Sequence, residues 1–149
     1  MLPALRPYEP SDLEPLVECW YESWHSAFAP RRHPRSIDIW RRRFQQDYAG
    51  QAEIWLTATD RVAAFMVLYP EQRWLEQLFV HPQFQRQGLG RAMIALARVR
   101  CPQGLELDTP AENEAARRFY RRRGFTMRKA AFDQLTQQLI LRYGVGLPT

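Results

Sequence analysis

The stretch 74–100 constrains this chain more than any other. Residues 74–80 have strand character and end at His81-Pro82. A glycine-bearing loop follows: Gln85, Arg86, Gln87, Gly88, Leu89, Gly90. The apolar spacing then becomes helical over residues 88–100, with Met93, Ile94 and Ala97 inward. A helix N-terminus presents unpaired N–H groups and a partial positive charge, which is a natural anion site. Gly88 and Gly90 remove side chains where the backbone must approach a ligand. The loop is not a Walker motif, because G-x-x-x-x-G-K-[ST] is absent. It is not a dinucleotide fingerprint either, because Met93 stands where the third glycine belongs. The plain alternative is a helix that starts with glycines only for tight turning.

The flanking segments set the fold class. Residues 4–8 read as a short strand. Ser11 then starts a helix, with Glu14 completing an S-x-x-E capping box. Leu13, Leu16, Val17, Trp20, Trp24 and Phe28 follow at helical spacing. Pro30 and Pro34 break the chain, and Ser36 caps a second helix with the stripe Ile37, Trp40, Phe44 and Tyr48. Residues 53–59 and 62–69 flank Asp60-Arg61 as a hairpin. Residues 105–109 form a strand, and Pro110 stands at a helix start. Residues 112–123 form a helix closed by Gly124. Residues 125–129 and 138–143 read as the last strands, and residues 130–137 between them also allow a helical turn. Strand–helix alternation in the middle predicts parallel pairing, and the hairpins predict antiparallel edges. The expectation is an α/β fold: one domain over residues 1–149, a mixed sheet of six to seven strands, and about four helices.

Composition narrows the setting. With 46% hydrophobic residues the chain can build a core and is not disordered. Cys19 and Cys101 follow no metal-ligand spacing and suggest a reducing compartment. No apolar run approaches the roughly 18 residues of a membrane span. A soluble, cytoplasmic protein without a metal is expected. The charge is +5, carried almost wholly by arginine, with Lys129 the only lysine. That bias fits a polyanionic ligand or a general preference for arginine over lysine.

Residues 75–97, LEQLFVHPQFQRQGLGRAMIALA, resemble the cofactor-binding motif of the GNAT superfamily of N-acetyltransferases. The core pattern Q/R-x-x-G-x-G/A is met by Gln85, Gly88 and Gly90. The preceding L-x-V-x-P is met by Leu78, Val80 and Pro82. A second pattern, N-x-x-A-x-x-F-Y-x-x-x-G-F, falls on Asn113, Ala116, Phe119, Tyr120, Gly124 and Phe125. The resemblance covers nearly the whole chain. It implies the GNAT-type fold and transfer of an acetyl group from acetyl-CoA to a primary amine by direct attack in a ternary complex. By the same resemblance Leu78 to Val80 would splay from the neighbouring strand, and Phe79 and Val80 would bond the pantetheine arm through their backbone. The loop from Gln85 to Arg91, with Arg86, Gln87, Gly88, Leu89 and Gly90, would hold the pyrophosphate. Asn113 would contact the pantetheine or order the loop beside it, and Tyr120 would sit near the thioester sulfur.

Amine attack on a thioester needs a proton acceptor, an oxyanion donor and an acid for the leaving thiolate. The Val80 amide is the family-like oxyanion donor. Tyr120 is the candidate acid; its plain alternative is a core aromatic beside Ala116 and Phe119. Glu76 is the candidate base, because alternation puts Glu76, Leu78 and Val80 on one face; its alternative is an exposed or ion-paired strand residue. Asp108 is the reserve. His81 reads as a loop residue rather than a catalyst, and His25 and His33 as structural or surface residues. Arg117, Arg118, Arg121, Arg122 and Arg123 form a solvated face, or Arg118 meets the 3′-phosphate of the cofactor.

The resemblance places acceptor recognition near Trp20, Trp24, His25, Phe28, Arg31, Arg32 and Arg35. A small-molecule or peptide amine is the expected acceptor. Two other readings compete: a non-catalytic acyl-CoA sensor of the same fold, and an acyltransferase for an amine linked to nucleic acid. No RNA-binding or helix-turn-helix signature supports the latter. The arginines and tryptophans are compatible with a homodimer without requiring one.

Overall fold

The computed structural model describes residues 4–148. The strands are β1 (Arg6–Pro7), β2 (Glu53–Ala58), β3 (Val62–Tyr69), β4 (Trp74–Val80), β5 (Gly104–Pro110), β6 (Thr126–Asp133) and β7 (Gln138–Gly146). The helices are α1 (Leu13–Ala27), α2 (Ile37–Arg43), α3 (Leu89–Arg100) and α4 (Glu114–Arg122). The sheet order is β1-β2-β3-β4-β5-β7-β6, with β4 and β5 parallel and the two terminal hairpins antiparallel. This is the mixed α/β architecture expected from the sequence. No helix among the described residues is long and apolar enough to cross a membrane. The chain forms two compact units: residues up to Leu68 with Gln77–Met93, and Tyr69–Glu76 with residues from Ile94 onward.

In the first unit α1 buries Leu16, Val17, Cys19, Trp20 and Ser23, the repeat of one helical face. Leu16 and Val17 are fully covered, each contributing about 2 kcal/mol of burial. The helix does not start at Ser11. A 3-10 turn, Pro10–Asp12, comes first, and Asp12 rather than Ser11 closes it: the Glu9 N–H donates to Asp12 Oδ2 at 2.8 Å. Arg6 holds the same carboxylate at 2.8 and 2.9 Å, and this hydrogen bonding lowers its pKa. The predicted strand at residues 4–8 shrinks accordingly to Arg6–Pro7. After α2 the chain widens into a π-helical turn, Phe44–Tyr48. That turn keeps Trp40, Phe44 and Tyr48 on one side, where Trp20 of α1 meets their rings at 4.8, 6.2 and 6.0 Å. β3 is buried along Val62–Leu68 and pairs with β2 around a bulge at Thr57/Ala58.

In the second unit β5 pairs with β7 from Gly104↔Gly146 to Pro110↔Ile140. Pro110 therefore ends a strand instead of starting a helix, and α4 begins at Glu114 behind Asn113. Gly124, at φ 92°, lets the chain leave α4, as its position implied. The last strands run further than the sequence pattern showed. Residues 130–133 pair with 138–141, and Asp133 caps the turn by accepting from Leu135 N–H and Thr136 Oγ. Ala130 and Ala131 are weak strand formers, so cross-strand pairing decides there. Arg128 occupies the bulge between Met127 and Lys129 and reaches Glu106 Oε2 at 2.7 Å. It lies so close over Gly144 that a Cβ there would meet the guanidinium at 2.5 Å.

Candidate active site

The glycine loop, residues 85–90, belongs to the first unit. β4 ends at Val80 and leads through a 3-10 turn, Pro82–Phe84, into the loop. Arg86 adopts φ 65° and Gly88 φ 81°. Such left-handed residues turn backbone N–H groups inward to form anion-binding nests. The first hydrogen bond of α3 runs from Ala92 N–H to the Gly88 carbonyl at 3.0 Å. The N–H groups of Leu89, Gly90 and Arg91 thus precede the helical ladder and are the donors a helix start offers an anion. Arg86, Gln87, Gly88 and Arg91 are exposed. Among the described residues Arg86 and Arg91 have no ionic partner. Gln85 points elsewhere: its Nε2 donates to the Val80 carbonyl at 3.3 Å, bracing the loop against the strand end. Phe79 stacks on Phe65 at 5.9 Å, and Leu78 and Val80 are half-buried.

The second motif belongs to the second unit. Asn113 Oδ1 accepts from Ala116 N–H at 3.1 Å, so this side chain is the N-cap of α4. Tyr120 is 7% exposed, with rings of Phe119, Phe125 and Tyr143 at 5.3, 5.7 and 6.5 Å. The ring is thus the core aromatic of its plain reading, yet its hydroxyl has no hydrogen-bond partner among the described residues. Burial raises the pKa of the phenol, so it stays protonated through neutral pH.

The four arginines of this helix and Arg123 at its end divide by role. Arg117 donates to the Tyr143 hydroxyl at 3.3 Å and the Ala111 carbonyl at 3.1 Å, and Arg123 lies over Phe119. Arg118, Arg121 and Arg122 are exposed without a partner among the described residues.

Glu76 is exposed on β4 and accepts from Trp74 Nε1 at 2.8 Å. Asp108, the reserve base, is committed to Arg142 through two bonds at 2.9 and 3.1 Å, and Arg142 in turn covers the Trp74 ring. Cys19 is no nucleophile, since burial pushes its thiol up to about 12. Of the structural and surface readings of His25 and His33, the contacts favour the structural one: His25 Nδ1 bonds the Tyr21 carbonyl, and His33 packs its ring against Trp24 and Trp40. The sequence reading missed Glu22, which meets the buried His81, and Arg61, which holds the same Glu22 carboxylate. A glutamate in a helix and an arginine in a turn give no signal that they meet.

The profile of the acetyltransferase (GNAT) family matches residues 13–125, which include the glycine loop and the Asn113 motif. Peptidyl-lysine N-acetyltransferase YiaC of Escherichia coli (strain K12) is 29% identical over 136 residues, 89% of this chain and 90% of that protein. The solution structure of apo-form YjaB from Escherichia coli has a TM-score of 0.76 at 23% identity and covers 97% of this chain and 98% of that one. Spermidine N-acetyltransferase from Vibrio cholerae, in complex with CoA and spermine, has a TM-score of 0.71 at 16% identity over 95% and 94% of the two chains. At these identities the two structures speak for the fold, and the profile speaks for the family. This chain is an acetyltransferase that belongs to the GNAT family.

Proposed function

We propose that the enzyme takes its acetyl group from acetyl-CoA and passes it to a primary amine, with a peptidyl lysine as the first candidate acceptor. The loop carries this reading: two left-handed residues, a helix start with free N–H groups, and two unpartnered arginines fit a pyrophosphate. The lysine acceptor is supported by the name of YiaC, which aligns over 90% of its length. Acetyl-CoA supplies the activated acyl carbon, and the residues of this chain do the rest. Glu76 takes the proton released as the amine nitrogen bonds to the acyl carbon. The Val80 amide donates to the carbonyl oxygen as negative charge develops there. Tyr120 gives its proton to sulfur as the carbon–sulfur bond breaks. Attack is direct, so no acyl-enzyme forms, in keeping with the buried thiol of Cys19.

Residues 1–149 work in this reading as one catalytic domain, which is supported by a family match that runs through residues of both units. Two buried cysteines, neither in a disulfide, support a reducing, cytoplasmic setting.

The test is a calorimetric titration with acetyl-CoA, followed by thiol-release assays on lysine peptides and on spermidine. Saturable 1:1 binding and thiol release with a free-lysine peptide, absent with its Nε-acetylated form, are expected. A wild-type protein that gives no binding heat and no thiol release refutes the acetyl-CoA reading.

A further inference from the structure

His81, expected as an ordinary loop residue, is only 4% exposed. Its backbone N–H donates to the Ala63 carbonyl at 2.8 Å, which ties it to β3. Its Nδ1 accepts from Gln83 N–H at 3.2 Å, and its carbonyl accepts from Phe84 N–H at 2.8 Å. Nε2 lies 2.5 Å from Glu22 Oε2 of α1. The same carboxylate oxygen accepts from Arg61 Nη2 at 2.7 Å, and Arg61 Nη1 donates to Gln83 Oε1 at 3.3 Å. The four residues therefore close a ring: His81 to Glu22, Glu22 to Arg61, Arg61 to Gln83, and Gln83 back to His81. Because Nδ1 accepts from an amide N–H, it carries no proton. The neutral imidazole then has its hydrogen on Nε2, pointed at the carboxylate.

We infer that His81 is the positioning residue of the phosphate loop. It fixes the turn that joins the end of β4 to Gln85, with Glu22 and Arg61 as its anchors. The role rests on the reading that this loop holds the pyrophosphate of acetyl-CoA. The physical reason is preorganisation. Residues Gln85 to Gly88 are exposed and carry few restraints of their own beyond the Gln85–Val80 bond. Backbone donors bind an anion tightly only if they are already aimed, because ordering them on binding subtracts from affinity. The ring supplies that order from outside the loop, through the turn immediately before it. Neither Glu22 nor Arg61 needs to approach the cofactor.

The two ring nitrogens can be tested separately. In His81→Asn the amide oxygen overlays Nδ1 and still accepts from Gln83 N–H. In His81→Gln the amide nitrogen reaches toward Glu22 but the turn loses its acceptor. Acetyl-CoA dissociation constants are measured by calorimetry on each, with steady-state kinetics alongside. The expected result is a rise of about tenfold in Kd for His81→Gln, the scale of a lost capping bond. His81→Asn should stay within about threefold of wild type, and kcat at saturating acetyl-CoA should move by less than about twofold in both. Arg61→Ala, a substitution at an exposed turn that removes the link to Gln83, should raise Kd about threefold and keeps the inference testable if His81→Gln does not fold. Unchanged Kd in His81→Gln, or in Arg61→Ala where His81→Gln does not fold, overturns the positioning role, even where the melting temperature falls. A wild-type protein that binds no acetyl-CoA overturns the underlying reading instead, so the two failures are distinct.

Discussion

The glycine loop and α4 carry the two sequence motifs of the family but differ in which part of the chain they offer. The loop is exposed and offers backbone: the side chains of Arg86 and Gln87 stand in solvent, Gly88 has none, and the geometry lies in two positive φ angles. Helix α4 offers a side chain: Tyr120 is its buried residue, surrounded by three aromatic rings, with a hydroxyl left unbonded among the described residues. A backbone site is sensitive to what changes conformation and indifferent to most side chains. A buried side-chain site is sensitive to one atom and protected by its packing. The comparison also explains why the same helix tolerates four arginines among its nine residues, with Arg123 following its end: its buried face is narrow.

Three substitutions separate the two kinds of site. Tyr120→Phe should have the largest effect, because it removes one oxygen and keeps the ring packing. A fall in kcat of about 100-fold is expected, with Kd for acetyl-CoA and melting temperature unchanged. The raised phenol pKa adds a pH signature: Tyr120 stays protonated through the ordinary tyrosine range, so it should produce no alkaline loss of kcat below about pH 10. Wild-type turnover in Tyr120→Phe would leave the tyrosine as a core aromatic only.

Gly88→Val comes next. At φ 81° a β-branched residue is strained by about 1–2 kcal/mol, although nothing lies within 4 Å of the added Cβ. The loop should relieve that strain by changing conformation, raising the acetyl-CoA Kd about tenfold with little change in kcat at saturation. Equal affinity in calorimetry would show that the loop geometry is not what binds.

Arg118→Ala should have the smallest effect, about a threefold loss of affinity that shrinks as salt is raised. Comparing acetyl-CoA with its 3′-dephospho form reads this directly: the loss should vanish with the dephospho compound. An equal loss with both compounds would place Arg118 away from that phosphate.

The element order was legible because most segments carry their own signal. β3, β4 and α3 fall within a residue of where periodicity places them. The misplacements have local causes. Ser11 lost its cap role because Asp12 is clamped by Arg6 and satisfies the Glu9 N–H. Pro110 lies at a strand end because it pairs with Ile140, a partner thirty residues away. β6 was cut short because two alanines say little about strand, and only the register with β7 extends it to Asp133. Of the site residues, the glycines and Tyr120 were visible as motif positions. The environment of Tyr120, the commitment of Asp108 to Arg142 and the burial of His81 were not.

By itself the sequence determined the class of fold, the family, and the glycine loop proposed to hold an anion. These follow from short-range patterns: period two, period 3.6, and glycine where backbone must turn left-handed or lie open. Only the tertiary structure decided which polar groups find partners. It paired Asp108 with Arg142 and Arg117 with the Ala111 carbonyl, left Arg86, Arg91 and the Tyr120 hydroxyl without a partner among the described residues, and joined Glu22 to His81 and to Arg61 across 59 and 39 positions of chain. A side chain's charge is written in the sequence. Its desolvation and its hydrogen-bond partner depend on what folding brings within 3 Å, and those two quantities set which groups are free to bind or react.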